Sequence, residues 1–271
     1  MKSTLINEAD FAALYAAAQF AERVGAPLST HVTLTWSLFG ITEPGAVHAH
    51  LHAFVKCLRD WMKQRRLCQF WIFCNERGRI VGLHTHLAVY MPLDLRREFR
   101  AWVKAWAVRR YGAHIPRAHR VKFSSSDKPW VHWVIFSYIV KGYDPDVIVV
   151  SADHTANDEE IMLGDLIAYP WRDPGHVDID RFKVSPHLKA NITNELRRQT
   201  ARRAPVDPFG QRKAGRLPVW QGFRSSYDEG CRDVRGLYPL SFRERVWPLA
   251  AILGSDPAYK NPLNSGLGRA K

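Results

Sequence analysis

Cysteine is scarce in this chain, and the four present, Cys57, Cys68, Cys74 and Cys231, form no C-x-x-C pair. That spacing offers neither a disulfide framework nor a cysteine-built zinc site, so a reducing, cytoplasmic setting is the expectation. Long apolar runs are missing too: no stretch of 18 residues is free of polar side chains, and the first ten residues carry Glu8 and Asp10 beside Lys2. A membrane span or an export signal, and with them a membrane partner, are therefore not expected. No internal repeat or long low-complexity tract interrupts the sequence. Acid is in deficit, with 26 Asp and Glu against 39 Lys and Arg and a formal charge of +13. A polyanion is the natural partner for that balance, nucleic acid first among them.

What remains is globular: 271 residues, 46% hydrophobic and 12% aromatic, enough chain to bury a core. The excess of positive charge is a C-terminal property, because residues 181–271 hold 18 basic and 7 acidic side chains. Pro170, Asp173, Pro174 and Gly175 break the pattern between the two parts. The expected organisation is a folded domain over 1–170 and a basic C-terminal region over 171–271, a DNA-binding or accessory segment.

Apolar periodicity predicts helices over 7–24, 44–66 and 94–110, and strands at His31–Trp36, Cys68–Cys74 and Leu83–Tyr90, with a turn at Asn75–Arg79 between the last two. A further strong element covers Trp130–Lys141, and a helix is expected at Pro186–Arg203. Two adjacent strands forming a hairpin, among helices in irregular order, favour an α+β fold with a central antiparallel sheet and flanking helices over a βαβ series.

The chemistry concentrates in few places. On a strand, His84 and His86 point to one face while Leu87 and Val89 point to the other, and two imidazoles on one face can share a metal. An H-x-H pair alone is equally a pair of ordinary surface or core histidines. Hard divalent cations such as Mg²⁺ or Mn²⁺ also want oxygen, and a hairpin brings either Glu76 or Asn75 across to the histidine face, according to register. If Trp133–Lys141 is helical, Tyr138 and Lys141 are i, i+3 neighbours, which sets an ammonium beside a phenol. His48 and His52 lie inside a helical period and could pair as i, i+4 ligands, but they flank the core stripe without a nearby partner in sequence, which disfavours a metal role; His114, His119 and His132 are expected to meet phosphate or water rather than metal. In the C-terminal region Arg197, Arg198, Arg202 and Arg203 cluster on a helix end, a pattern that neutralises phosphates. Trp220, Phe223 and Tyr227 interleave with Arg216 and Arg224, a mixture able to stack bases.

The order of a Thr33-Leu34-Thr35 strand, a His84-x-His86 strand and a downstream Tyr138-x-x-Lys141 resembles the three motifs of the HUH endonucleases, and is most similar to the rolling-circle replication initiators of plasmids and phages. The resemblance spans about residues 28–145. It implies a palm-like sheet and a metal-dependent tyrosine endonuclease and strand transferase, with Mg²⁺ or Mn²⁺ held by His84, His86 and an acidic or amide residue, here Glu76. Tyr138 would be the nucleophile forming a 5′-phosphotyrosyl link, and Lys141 would position the phosphate. The implied partners are single-stranded DNA or an origin hairpin, with host helicase and polymerase. Thr85 departs from the usual bulky apolar residue between the histidines. Tyr143 lies five residues after Tyr138, not four, which favours a single-tyrosine enzyme. A relaxase or transposase with the same chemistry, and a non-catalytic basic DNA-binding protein, are the alternatives.

Overall fold

In a computed structural model of the chain, the structure describes residues 5–124, 129–144, 148–151, 160–162, 173–202 and 218–219. Helix α1, Glu8–Arg23, begins where the Asn7 side chain accepts from the Asp10 amide, satisfying one of the donors a helix start leaves open. Strand β1, Thr30–Thr35, follows. Helix α2, Pro44–Gln64, starts on a proline whose missing N–H costs nothing there. Strands β2, Trp71–Gly78, and β3, Gly82–Val89, form the hairpin. Helix α3, Arg96–Tyr111, ends on Gly112 in the left-handed conformation. Then come β4, His119–Phe123, helix α4, Pro129–Ile139, strands β5, Ile148–Ser151, and β6, Glu160–Met162, strand β7, Phe182–Val184, helix α5, Pro186–Arg202, and β8, Pro218–Val219. Among the described residues no helix is long and apolar enough to cross a membrane.

The main sheet has the order β4-β1-β3-β2-β7 and every pairing in it is antiparallel. The α+β arrangement with an antiparallel sheet and flanking helices is thus the one the sequence pattern predicts. A separate three-stranded sheet has the order β6-β5-β8. The predicted turn at Asn75–Arg79 is shorter than expected: β2 runs on to Gly78 and pairs in register through Glu76↔His84. Polar residues there mimic a loop in sequence, but Asn75 to Gly78 are paired with β3 and Asn75 and Glu76 are buried. The fifth strand, β7, comes from beyond residue 171 and pairs with β2, so the sheet draws on both sides of the expected boundary.

Strand alternation divides the side chains between two cores. One face carries Val32, Leu34, Phe73, Leu83, Leu87 and Val89 against α2 and α3. The other packs Ile72, Cys74 and Ala88 against α1, α4 and Leu188 of α5. From Val131 to Ile139 every residue of α4 is buried, as a helix apolar on all sides must be. His132 belongs to this interior. It accepts from the Leu28 amide at 2.8 Å through Nδ1 and donates from Nε2 to the Ala18 carbonyl at 3.1 Å. This corrects the sequence expectation that it meets phosphate or water: a histidine satisfied by two backbone groups is a core residue. His119 faces the α2–α3 side, stacked on Phe39, and His114 is exposed.

Two predictions follow from these contacts. Burial pushes the His132 imidazole from an ordinary 6.5 to about 3, so below 6.5 the unfolded chain takes up a proton the native ring refuses. Stability therefore falls as pH drops, by about 2 kcal/mol between about pH 7 and pH 5 from this residue. Urea unfolding of His132→Gln at the two pH values should show that much less loss than the parent chain. Gly175 has a φ of +64°, and a β-carbon there would overlap the Arg77 carbonyl oxygen. Gly175→Ala should destabilise by about 2 kcal/mol in the same measurement.

Candidate metal centre

Register decides which side chains meet. On the α4 side of the sheet, Thr35, His84 and Glu76 stand in one row across β1, β3 and β2, and Thr33, His86 and Cys74 in the next. Asn75 is turned to the other side and fully used there. It accepts from the Thr85 hydroxyl at 2.5 Å, which itself accepts from the Trp36 indole at 2.7 Å, and its amide donates to the Asp180 carbonyl at 2.6 Å. The Arg181 guanidinium donates to the carbonyls of Asn75, Pro174 and Gly175. These bonds lock the β2–β3 register and tie the 173–181 segment over it, so of the two candidate ligands only Glu76 faces the histidines.

Glu76, His84 and His86 are all buried, and one ligand atom from each lies within 4.8 Å of the others. Oε2 of Glu76 is 3.4 Å from Nε2 of His84 and 3.6 Å from Nε2 of His86. His84 holds its Nδ1 2.9 Å from the Gly82 carbonyl, which can only accept, so in the neutral ring the Nε2 lone pair is aimed at the carboxylate. A metal ion between that lone pair and the carboxylate would satisfy both. His86 Nε2 is buried without a hydrogen-bond partner, and burial with the nearby Lys141 charge pushes its ring down to about 3, which keeps it a neutral donor set for metal. Two donors each about 2.1 Å from a tetrahedral ion are separated by roughly 3.4 Å. The three residues therefore fit a divalent metal on donor chemistry, spacing and an orphaned nitrogen alike; nothing in the donor set selects one metal.

The other side of the centre is built by α4 and the turn after it. Lys141 is buried, with Nζ 2.8 and 2.7 Å from the two oxygens of Glu76. Burial alone would raise the Glu76 carboxyl, but the Lys141 ammonium and the two imidazoles override it and hold the group well below its ordinary range. The same ammonium lies 4.1 Å from the centre of the Tyr138 ring. Tyr138 packs edge-on against His86 at 4.9 Å and His31 at 5.0 Å between ring centres, with 7% of its surface exposed. The turn is pinned from two sides: the Ile6 amide donates to the Gly142 carbonyl, and a β-carbon on Gly142 would strike the Pro174 ring. Tyr143 pairs with Ile6 in an isolated bridge and sits in the core.

His31 is a site residue that sequence reasoning missed. Its Nε2 is 3.3 Å from Nδ1 of His86, as is the Thr33 hydroxyl, and burial followed by the His86 and Lys141 charges holds its ring well below the usual imidazole range. A ring that grips the far nitrogen of a ligand fixes that ligand's tautomer and orientation. The signal was available, since His31 and Thr33 are two apart on one strand and must share a face. By register Arg120 and Lys122 of β4 stand beside Thr33 and His31 on this face; β4 itself was not recognised in the sequence.

His48 and His52 lie side by side on α2, 4.2 Å between ring centres and tilted by 36°, on the opposite side of the sheet. α5 carries Arg197, Arg198 and Arg202 in its backbone, but their side chains lie outside the described residues, as do Arg203, Arg216, Trp220, Phe223, Arg224 and Tyr227. Comparison of the chain with protein-family models, curated proteins and solved structures finds no match in any of the three.

Titrated with Mn²⁺, the protein should show one saturable site by calorimetry. His86→Ala should abolish it and His31→Ala should weaken it about 10-fold, whereas His48→Ala should leave it unchanged.

Proposed function

We propose that this chain is a metal-dependent, single-tyrosine nickase and strand transferase for single-stranded DNA. Its chemistry is that of the HUH endonucleases, and its role is to start rolling-circle replication of a plasmid, phage or other mobile element. The observation that carries this reading is a convergence on one sheet face. A buried Glu76–His84–His86 donor set meets a tyrosine and a lysine from a helix packed against the same strands.

Glu76, His84 and His86 would hold the metal, and a divalent ion bound there would supply Lewis-acid polarisation of the scissile phosphate. Tyr138 is the nucleophile. Its phenolic oxygen forms a bond to phosphorus while the bond from phosphorus to the 3′ oxygen breaks, and the proton lost by the phenol is matched by the one the released 3′-hydroxyl gains. The strand's 5′ phosphate stays on the tyrosine as a phosphodiester, so a later 3′-hydroxyl can reverse the attack and reseal the strand without an external energy source. The new 3′ end is a primer for a polymerase.

Lys141 has two tasks in this scheme. It balances the buried carboxylate, and it keeps positive charge beside the site where charge builds on the non-bridging oxygens. His31 and His86 wedge the Tyr138 ring between them and limit its rotation. Arg120 and Lys122, part-buried on the neighbouring edge strand, supply charge for the phosphates that flank the scissile one. The net charge of +13 suits the same substrate.

Incubation with labelled single-stranded oligonucleotides from the protein's own replicon, in Mn²⁺ or in chelator, should give a denaturation-resistant protein–DNA adduct only with metal. Tyr138→Phe should remove the adduct while keeping Mn²⁺ binding. DNA binding without an adduct, by metal-loaded protein on its true origin, would favour a non-catalytic DNA-binding protein instead.

A further inference from the structure

The two oxygens of the Glu76 carboxylate stand in different surroundings. Oε2 is the oxygen nearest to both imidazoles, 3.4 Å from Nε2 of His84 and 3.6 Å from Nε2 of His86. Oε1 accepts from the Lys141 ammonium at 2.8 Å, and the same Nζ lies 2.7 Å from Oε2. An ammonium has donors and no lone pair, so it occupies carboxylate oxygen without adding a ligand.

Lys141 has little freedom to leave. Its side chain is buried, the Ile6 amide donates to the carbonyl of the following Gly142, and the centre of the Tyr138 ring is 4.1 Å from Nζ. Among the described residues the metal-ligating cluster holds no carboxylate besides Glu76. A lysine that gave up both oxygens would therefore remain as an unpaired buried charge, which is costly. An ion that takes Oε2 alone leaves Lys141 its bond to Oε1. An ion that chelates both oxygens evicts the ammonium and then faces it as a like charge.

These two modes suit different ions. Ca²⁺ gathers many oxygens, often both from one carboxylate, whereas transition ions such as Mn²⁺ and Zn²⁺ accept imidazole together with a single carboxylate oxygen. We propose that Lys141 determines the metal specificity of the centre: by keeping Oε1 it makes Glu76 a one-oxygen ligand, so that the site takes Mn²⁺ or Zn²⁺ and rejects Ca²⁺. The inference rests on the metal centre of the proposed function and not on the nicking step.

Calorimetry with Mn²⁺, and competition of Ca²⁺ against bound Mn²⁺, test this in the full chain and in Lys141→Met, with folding checked by circular dichroism in the presence of Mn²⁺. Loss of the lysine charge alone would raise the affinity of every divalent ion by a similar factor. Release of Oε1 adds a gain for the chelated ion only, so the preference for Mn²⁺ over Ca²⁺ should fall about 10-fold in Lys141→Met. The parent chain decides independently of how the variant folds, through the infrared difference between its Zn²⁺-loaded and metal-free forms, with carboxylate bands assigned by ¹³C-glutamate. The antisymmetric and symmetric stretches of the loaded carboxylate should lie far apart, as for a one-oxygen ligand. Stretches drawn close together, as in a two-oxygen chelate, or an unchanged preference in folded Lys141→Met would overturn the proposal while leaving the metal centre in place. Absence of saturable Mn²⁺ binding by the parent chain would overturn the metal centre and this inference with it.

Discussion

A carboxylate buried away from water needs a counter-charge, and Glu76 finds one in Lys141, which holds both of its oxygens. Removing one partner of such a pair leaves an isolated buried charge, at a cost of about 3–5 kcal/mol. The rest of the site is arranged around keeping this pair in place. Lys141 stands in the turn after a helix that is buried from Val131 to Ile139, where Ile6 and Pro174 hold the turn. Glu76 stands near the end of a strand whose register is set by Asn75, Thr85, Trp36 and Arg181. Glu76 could not shift by one position without exchanging faces and stranding its charge.

The pair also sets the charge available for chemistry. Glu76 and Lys141 cancel, and His86 stays neutral because burial and Lys141 oppose its protonation. The donor set therefore presents little charge of its own, and a divalent ion held there would keep nearly all of its positive field for an anionic substrate. A bare carboxylate without the lysine would bind the cation more strongly but neutralise half of it. The lysine thus favours the positive field at the site over the tightness with which a cation would be held.

Much of the fold was legible because it depends on local period. The helices over Glu8–Arg23, Pro44–Gln64 and Arg96–Tyr111 carry their apolar stripe in the sequence, and the H-x-H pair shares a face by simple alternation. What was not legible depends on partners far away in the chain. β4 and β7 are short and only partly apolar, and they are strands because β1 and β2 have edges to offer. The span Asn75–Gly78 resembles a turn in composition; it is a strand because Arg181, more than a hundred residues on, supplies hydrogen bonds to that backbone. The choice between Asn75 and Glu76 as ligand is the same question, since a one-residue register shift is invisible in a single strand. His132 shows the reverse case: a polar residue beside the tyrosine in sequence, yet committed to two backbone groups in the core.

One sheet with two differently furnished faces keeps two sets of charged side chains apart. The α4 face is closed by an apolar helix, so Glu76, Lys141, His84 and His86 there are buried together, which is the setting in which charges act strongly on one another. The α2 face is closed less completely at the β7 edge, and there the charges stand at the rim, exposed to water and screened by salt. Interactions at the first site therefore depend on geometry and on the loss of any one partner. Those on the α2 face depend on the number of cations and on ionic strength. The alternation of side chains along β2, with Glu76 and Cys74 to one side and Trp71 and Phe73 to the other, places the two chemistries within one strand and keeps them apart.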